Sequence, residues 1–154
     1  MGKSYTLSFD STLYYGGGNN NKRTYIVDWS FLPLDKQFKV NFTYMSVATA
    51  TVLDTASVMT LHVNLGTTDN YYANSTGLVS TQMLGTLKIA NSAGSTNGYY
   101  YADRHSNCPV YVKQRPAVNT IEVMLHTGLT LVNYTAPVPN DYILTLYFEE
   151  CDDY

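Results

Sequence analysis

The chain is short of charge. Of its 154 residues, 12 are acidic and 9 basic, so charged side chains make up 14% against about 25% in an average globular protein. Binding nucleic acid through its phosphates needs clustered lysine and arginine. Nine scattered cations and a formal charge of −3 give no such cluster, and no direct contact with DNA or RNA is expected. Cysteine is scarce too: Cys108 and Cys151 could pair only once, unlike the dense framework of a small secreted domain, and reduced thiols are expected. The three histidines, His62, His105 and His126, show no His-x-His or Cys-x-x-Cys spacing, so no metal site and no cofactor are expected. No apolar run reaches the roughly 18 residues of a membrane-crossing helix. The N-terminus alternates Ser4-Tyr5-Thr6-Leu7-Ser8-Phe9 instead of forming the apolar block of a secretory leader, which predicts synthesis in the cytoplasm. Nowhere do ten or more residues repeat apolar groups at helical spacing.

What the chain has is alternation. Phe38, Val40, Phe42 and Tyr44 alternate with Lys39, Asn41 and Thr43, the period of a strand with one dry and one wet face. The same pattern places Tyr5, Leu7 and Phe9 on one face, and Tyr25, Val27 and Trp29 on another over Tyr25 to Ser30. It recurs at Met59, Leu61, Val63 and Leu65, at Met83, Leu87 and Ile89, at Ile121, Val123 and Leu125, and at Tyr142, Leu144, Leu146 and Phe148. His62 and His126 fall on the polar side and are expected to face solvent. Short pieces at Tyr99–Tyr101, Val110–Val112 and Thr130–Tyr134 are also β-prone. Gly16 to Asn21 reads as a long mobile loop, Thr67 to Gly77 and Asn91 to Gly98 as loops, and Thr49 to Ser57 as a connection. About eight strands with long connections predict an all-β protein, an eight-stranded antiparallel Greek-key sandwich such as the single jelly roll. One domain over residues 1–149 is expected, with a short acidic tail over 150–154. At about 1.5–3 kcal/mol per fully buried side chain, such strands can build a core without metal or disulfide.

Candidate chemistry is thin. Asp103-Arg104-His105 sets acid and base side by side, but no nucleophile elbow accompanies them, and a loop ion pair is expected. Gly2-Lys3-Ser4 lacks the glycine and spacer of a phosphate loop. Met1-Gly2 with Thr6 meets the loose pattern for myristoylation, yet Tyr5, Leu7 and Phe9 belong to a core strand. No catalytic role is expected. The signal that remains is tyrosine, 15 residues with clusters at Tyr71-Tyr72 and Tyr99-Tyr100-Tyr101. Neighbouring rings on a strand take opposite faces, which leaves some phenols outside, where tyrosine favours protein contacts and stacking on sugars. Candidate partner contacts are therefore Tyr71, Tyr72, Tyr99, Tyr100 and Tyr101, with Asn19 and Asn20 in the glycine-rich loop.

Tyr25-Ile26-Val27-Asp28-Trp29-Ser30, a Leu-Pro loop, Phe38-Lys39-Val40-Asn41-Phe42-Thr43-Tyr44, the Ser80 to Gly85 segment and the closing Tyr142 to Glu149 strand resemble the small single jelly-roll capsid proteins of large icosahedral DNA viruses and virophages. The resemblance implies a structural virion protein, either a minor capsid protein cementing the gaps between capsomers or a penton-type vertex subunit. It implies other capsid proteins as partners, homo- or hetero-oligomers, and the virion as the final location, and it carries no catalytic residues. Two further readings share the expected topology: a lectin-like carbohydrate-binding sandwich, and a trimeric ligand resembling tumour necrosis factor.

Overall fold

The computed structural model describes residues 2–13, 16–19, 22–46, 59–66, 71–91, 98–127 and 141–151. Within them the chain forms strands β1 (Ser4–Asp10), β2 (Gly16–Asn19), β3 (Lys22–Ile26), β4 (Phe38–Ser46), β5 (Met59–Val63), β6 (Tyr71–Asn74), β7 (Gly77–Ser80), β8 (Met83–Asn91), β9 (Gly98–Ala102), β10 (Val110–Val112), β11 (Thr120–Thr127) and β12 (Tyr142–Glu150). The helical content of the described residues is two 3-10 turns, Ser11–Leu13 and Trp29–Phe31. The protein is all-β and its strand pairs are antiparallel.

Strand pairing runs β1-β12-β4-β9-β8-β5-β11-β3-β2, with β10 added to β4. Chain order and spatial order differ almost everywhere, because the dry faces dictate who pairs. Leu144, Leu146 and Phe148 of β12 stand opposite Tyr44, Phe42 and Val40 of β4, and all six are buried. The long strand β8 turns the ladder into two layers. Its first half pairs with β5 through Met59↔Leu87 to His62↔Met83, and its second half with β9 through Lys88↔Tyr101 to Asn91↔Gly98. β1, β12, β4, β9 and β10 thus form one sheet, and β5, β11, β3 and β2 the other. A single buried cluster drawn from both contains Phe38, Phe42, Leu146 and Phe148 together with Leu61, Ile121, Val123 and Leu125.

Several expectations need correction. Gly16–Asn19 is a strand paired with β3, because a ladder needs only backbone N–H and C=O groups; Asn20 lies outside the described residues. The stretch from 71 to 80 is a hairpin, not a loop, turning through Ser75 and Thr76 into Gly77 at φ 142°, a value that glycine alone tolerates readily. The strand read over Tyr25 to Ser30 ends at Ile26. Asp28 accepts a hydrogen bond from the Ser30 N–H at 3.0 Å and caps a 3-10 turn, while Tyr25, Val27 and Trp29 remain buried. A register shift between Leu61 and His62 is a bulge that changes the face of β8. Leu84 and Leu87 are buried there, while Met83 and Ile89 are only half-buried. The closing strand reaches Glu150. Its N–H donates to the Lys3 carbonyl at 3.0 Å, and the Cys151 N–H donates to that of Gln37 at 2.9 Å. The connection read over Thr49–Ser57 and the strand read over Thr130–Tyr134 lie outside the described residues, as do residues 92–97 of the Asn91–Gly98 loop.

Candidate partner-contact surfaces

The structure separates the tyrosine clusters. Tyr71 sits on the β6–β7 hairpin, which pairs with neither sheet, and it is 60% exposed, with Leu78 of the partner strand at 74%. Its ring also borders a cleft of about 430 Å³ with Leu84, Asn107, Cys108 and Pro109. Tyr72 pairs through its backbone with Val79, and Tyr99 with Ala90; their side chains lie outside the described set. Tyr100 is a correction. It is fully buried, with its N–H donating to Ser46 Oγ at 2.8 Å and its carbonyl accepting from the same hydroxyl at 3.3 Å, so it is a core residue. Tyr101 is half-buried on the outward face opposite Met45. Asn19 pairs with Lys22 in the β2–β3 hairpin.

The histidines are a second correction. His62 and His126 are buried, and their rings meet edge-on with centroids 4.2 Å apart. Facing away from the common core did not expose them, because all five residues of β5 are buried, on both faces. Thr60 Oγ1 lies 3.0 Å from His62 Nε2, while His62 Nδ1 finds no hydrogen-bond partner. Burial first, and the neighbouring ring second, pull the His62 pKa down to about 4, so the ring is neutral at physiological pH. The Arg23 guanidinium is also buried and donates to the Ser11 carbonyl, and buried phenols lie near it. Tyr25 and Tyr142 share a hydrogen bond at 2.9 Å, and Tyr44 stacks on Tyr142 at 5.1 Å. Burial pushes the pKa of all three up. They hold their protons and cannot act as bases near neutral pH.

Asp103-Arg104-His105 does not form the expected ion pair. The Arg104 guanidinium lies over the Tyr147 ring, 4.2 Å from its centroid, while the Asp103 carbonyl accepts from the Ser106 N–H and hydroxyl at 3.1 and 2.8 Å. Cys108 and Cys151 do not form a disulfide. Among the described residues no three of His, Cys, Asp and Glu come together in a way that could hold a metal ion, and no helix is long and apolar enough to cross a membrane. Asn41, within an Asn-Phe-Thr sequon, is buried and closed to glycosylation in the folded chain.

Two surfaces escaped the sequence reading. A cleft of about 610 Å³ between β1 and β3 is lined by Leu7, Phe9, Leu13 and Ile26, with Asp10 and Asp28 among its walls. Hydrogen bonds from Thr12 to Asp10, and from Ser30 to Asp28, hold both carboxyls below their usual range, so this cleft is apolar and negatively charged. The second is the outward face of the first sheet, where Met45 and Ile143 are 60% and 58% exposed. An isoleucine in phase with Thr145, Tyr147 and Glu149 was the available signal for it.

No known protein-family profile matches the chain, and no curated protein is significantly similar to it.

Proposed function

We propose that this chain is a single jelly-roll structural protein of a virion, a minor capsid component that cements or caps an icosahedral capsid by binding neighbouring capsid proteins. The observation that carries the reading is strand order. With β1, β3, β4, β5, β8, β9, β11 and β12 lettered B to I along the chain, the ladder reads B-I-D-G on one side and C-H-E-F, in reverse, on the other, an order that supports a reading as two interlocked Greek keys. The resemblance over Tyr25 to Tyr44 and the closing strand points the same way. Exposed Tyr71 and Leu78 on a hairpin that stands apart from both sheets suit contact with a neighbouring subunit, where exposed aromatics contribute most. The reading assigns no reaction to the chain.

Crosslinking with mass spectrometry on purified particles tests it. The chain should be present in stoichiometric amounts, with crosslinks to the major capsid protein, and its absence from particles would sink the proposal. Tyr71→Ala should change stability by less than about 0.5 kcal/mol, as exposed positions do, and should reduce incorporation into particles. Exposed Tyr71 beside a cleft also favours a second reading, a carbohydrate-binding sandwich. Binding on a glycan array that Tyr71→Ala removes would decide for that reading.

A further inference from the structure

One register line crosses β1, β12, β4 and β9 on the outward face of the first sheet and ends on the half of β8 that pairs with β9. Asp10 on β1 pairs with Ile143 on β12, Ile143 with Met45 on β4, Met45 with Tyr101 on β9, and Tyr101 with Lys88 on β8. The middle of the line is apolar or aromatic, and its two ends carry opposite charges. Asp10 accepts hydrogen bonds from the Thr12 N–H and hydroxyl at 2.9 and 2.7 Å. Neither it nor Lys88 takes part in an ion pair among the described residues. The adjacent line, Ser8-Thr145-Thr43, is low and polar, and Ser8 and Thr145 already share a hydrogen bond at 2.9 Å, which limits the cost of drying this face.

We propose that two copies of this chain associate through this face, about a two-fold axis that runs along β4 through Met45. Such an axis reverses the left-to-right order of the strands. Asp10 of each copy then lies against Lys88 of the other, Ile143 against Tyr101, and Met45 against Met45. A two-fold interface must match itself, and a row with an apolar centre and opposite charges at its ends does so. An axis across the strands would set Asp10 on Asp10 and Lys88 on Lys88, so the charges select the first. Face-to-face sheets pack about 10 Å apart, the span that interdigitating methionine and isoleucine side chains fill. Four strand spacings of about 4.8 Å, multiplied by the five residues of β9 at about 3.3 Å each, give a face of roughly 300 Å² per copy. That is below the roughly 800 Å² of a standard interface, so the dimer is of the weak, concentration-dependent kind.

Sedimentation equilibrium of the purified chain, from low micromolar to near-millimolar concentration, tests this. A monomer–dimer equilibrium that weakens with added salt is expected. Met45→Lys or Ile143→Lys should abolish the dimer with the far-UV circular dichroism unchanged. Lys88→Asp and Asp10→Lys, each alone, should weaken it about tenfold by turning two attractions into two repulsions. Mixing those two single variants should restore the affinity, because each copy then meets its complement at both ends of the row. A chain that stays monomeric throughout overturns the proposal and leaves the row to a different partner. A dimer indifferent to Met45→Lys, or a mixture no tighter than the single variants, overturns it as well.

Discussion

Trp29 shows how one side chain can join several elements. It is 3% exposed, its indole N–H donates to the Val118 carbonyl at 2.8 Å, and its ring stacks on Phe31 and meets Phe148 edge-on at 6.0 Å. Trp29→Ala should cost about 3–5 kcal/mol in urea unfolding followed by circular dichroism. Trp29→Phe keeps the packing but loses the hydrogen bond, and should cost about 1 kcal/mol beyond the change in volume. His62 makes a different prediction. Its pKa is about 6.5 in the unfolded chain and about 4 in the folded one. Between those values the unfolded chain binds a proton that the folded chain refuses. Stability is therefore full above about pH 6.5 and falls as the pH drops toward 4. At about 1.4 kcal/mol per pH unit the loss is of order 3 kcal/mol. His62→Gln should flatten the dependence of the urea midpoint on pH over this window, and an unchanged slope would place the titration elsewhere.

At the scale of elements, β8 explains both a success and a failure of pattern reading. Its alternation marks it as a strand, but the bulge facing Leu61 and His62 shifts which residues point inward. Beside that bulge the Asn107 side chain closes over Gly85. Its Oδ1 accepts from the Thr86 N–H at 3.0 Å and hydroxyl at 3.3 Å, and its Nδ2 donates to the Thr86 carbonyl at 3.1 Å. A Cβ on residue 85 would overlap that carboxamide. Gly85→Ala should therefore expel Asn107 and cost about 1–3 kcal/mol. In an Asn107→Ala background the same substitution should be nearly silent, so a double-mutant cycle in urea would show strong coupling. Additive costs would count against the clamp.

At the scale of the molecule, the last strand lies between the first and the fourth. β12 supplies Tyr142, Leu144, Leu146 and Phe148 to the core and pairs along its length with both β1 and β4. Removing residues 142–151 would strip four large buried side chains, at about 1.5–3 kcal/mol each, from a fold whose net stability is of order 5–15 kcal/mol. The truncated chain should lose its β-sheet circular dichroism and its NMR dispersion, and a folded product would contradict this topology. A sheet closed by its most distant segments also has to bring them together before their contacts stabilise it, which favours slow folding, on the order of milliseconds to seconds.

The alternation of Phe38 to Tyr44 and of Tyr142 to Phe148 was legible in the sequence, because a strand with one dry face has a period that burial enforces. The all-β class and most core residues follow from that periodicity. Strands β2, β6 and β7 were not legible, since backbone hydrogen bonds make a ladder without any apolar signature. Nor was the fate of His62, His126 and Tyr100, because the polar phase of a strand stays wet only where nothing covers it, and cover is decided by elements far away in sequence. The Asp10-Ile143-Met45-Tyr101-Lys88 row has the same origin: the sequence determined each residue's phase, and only tertiary pairing set the five side by side.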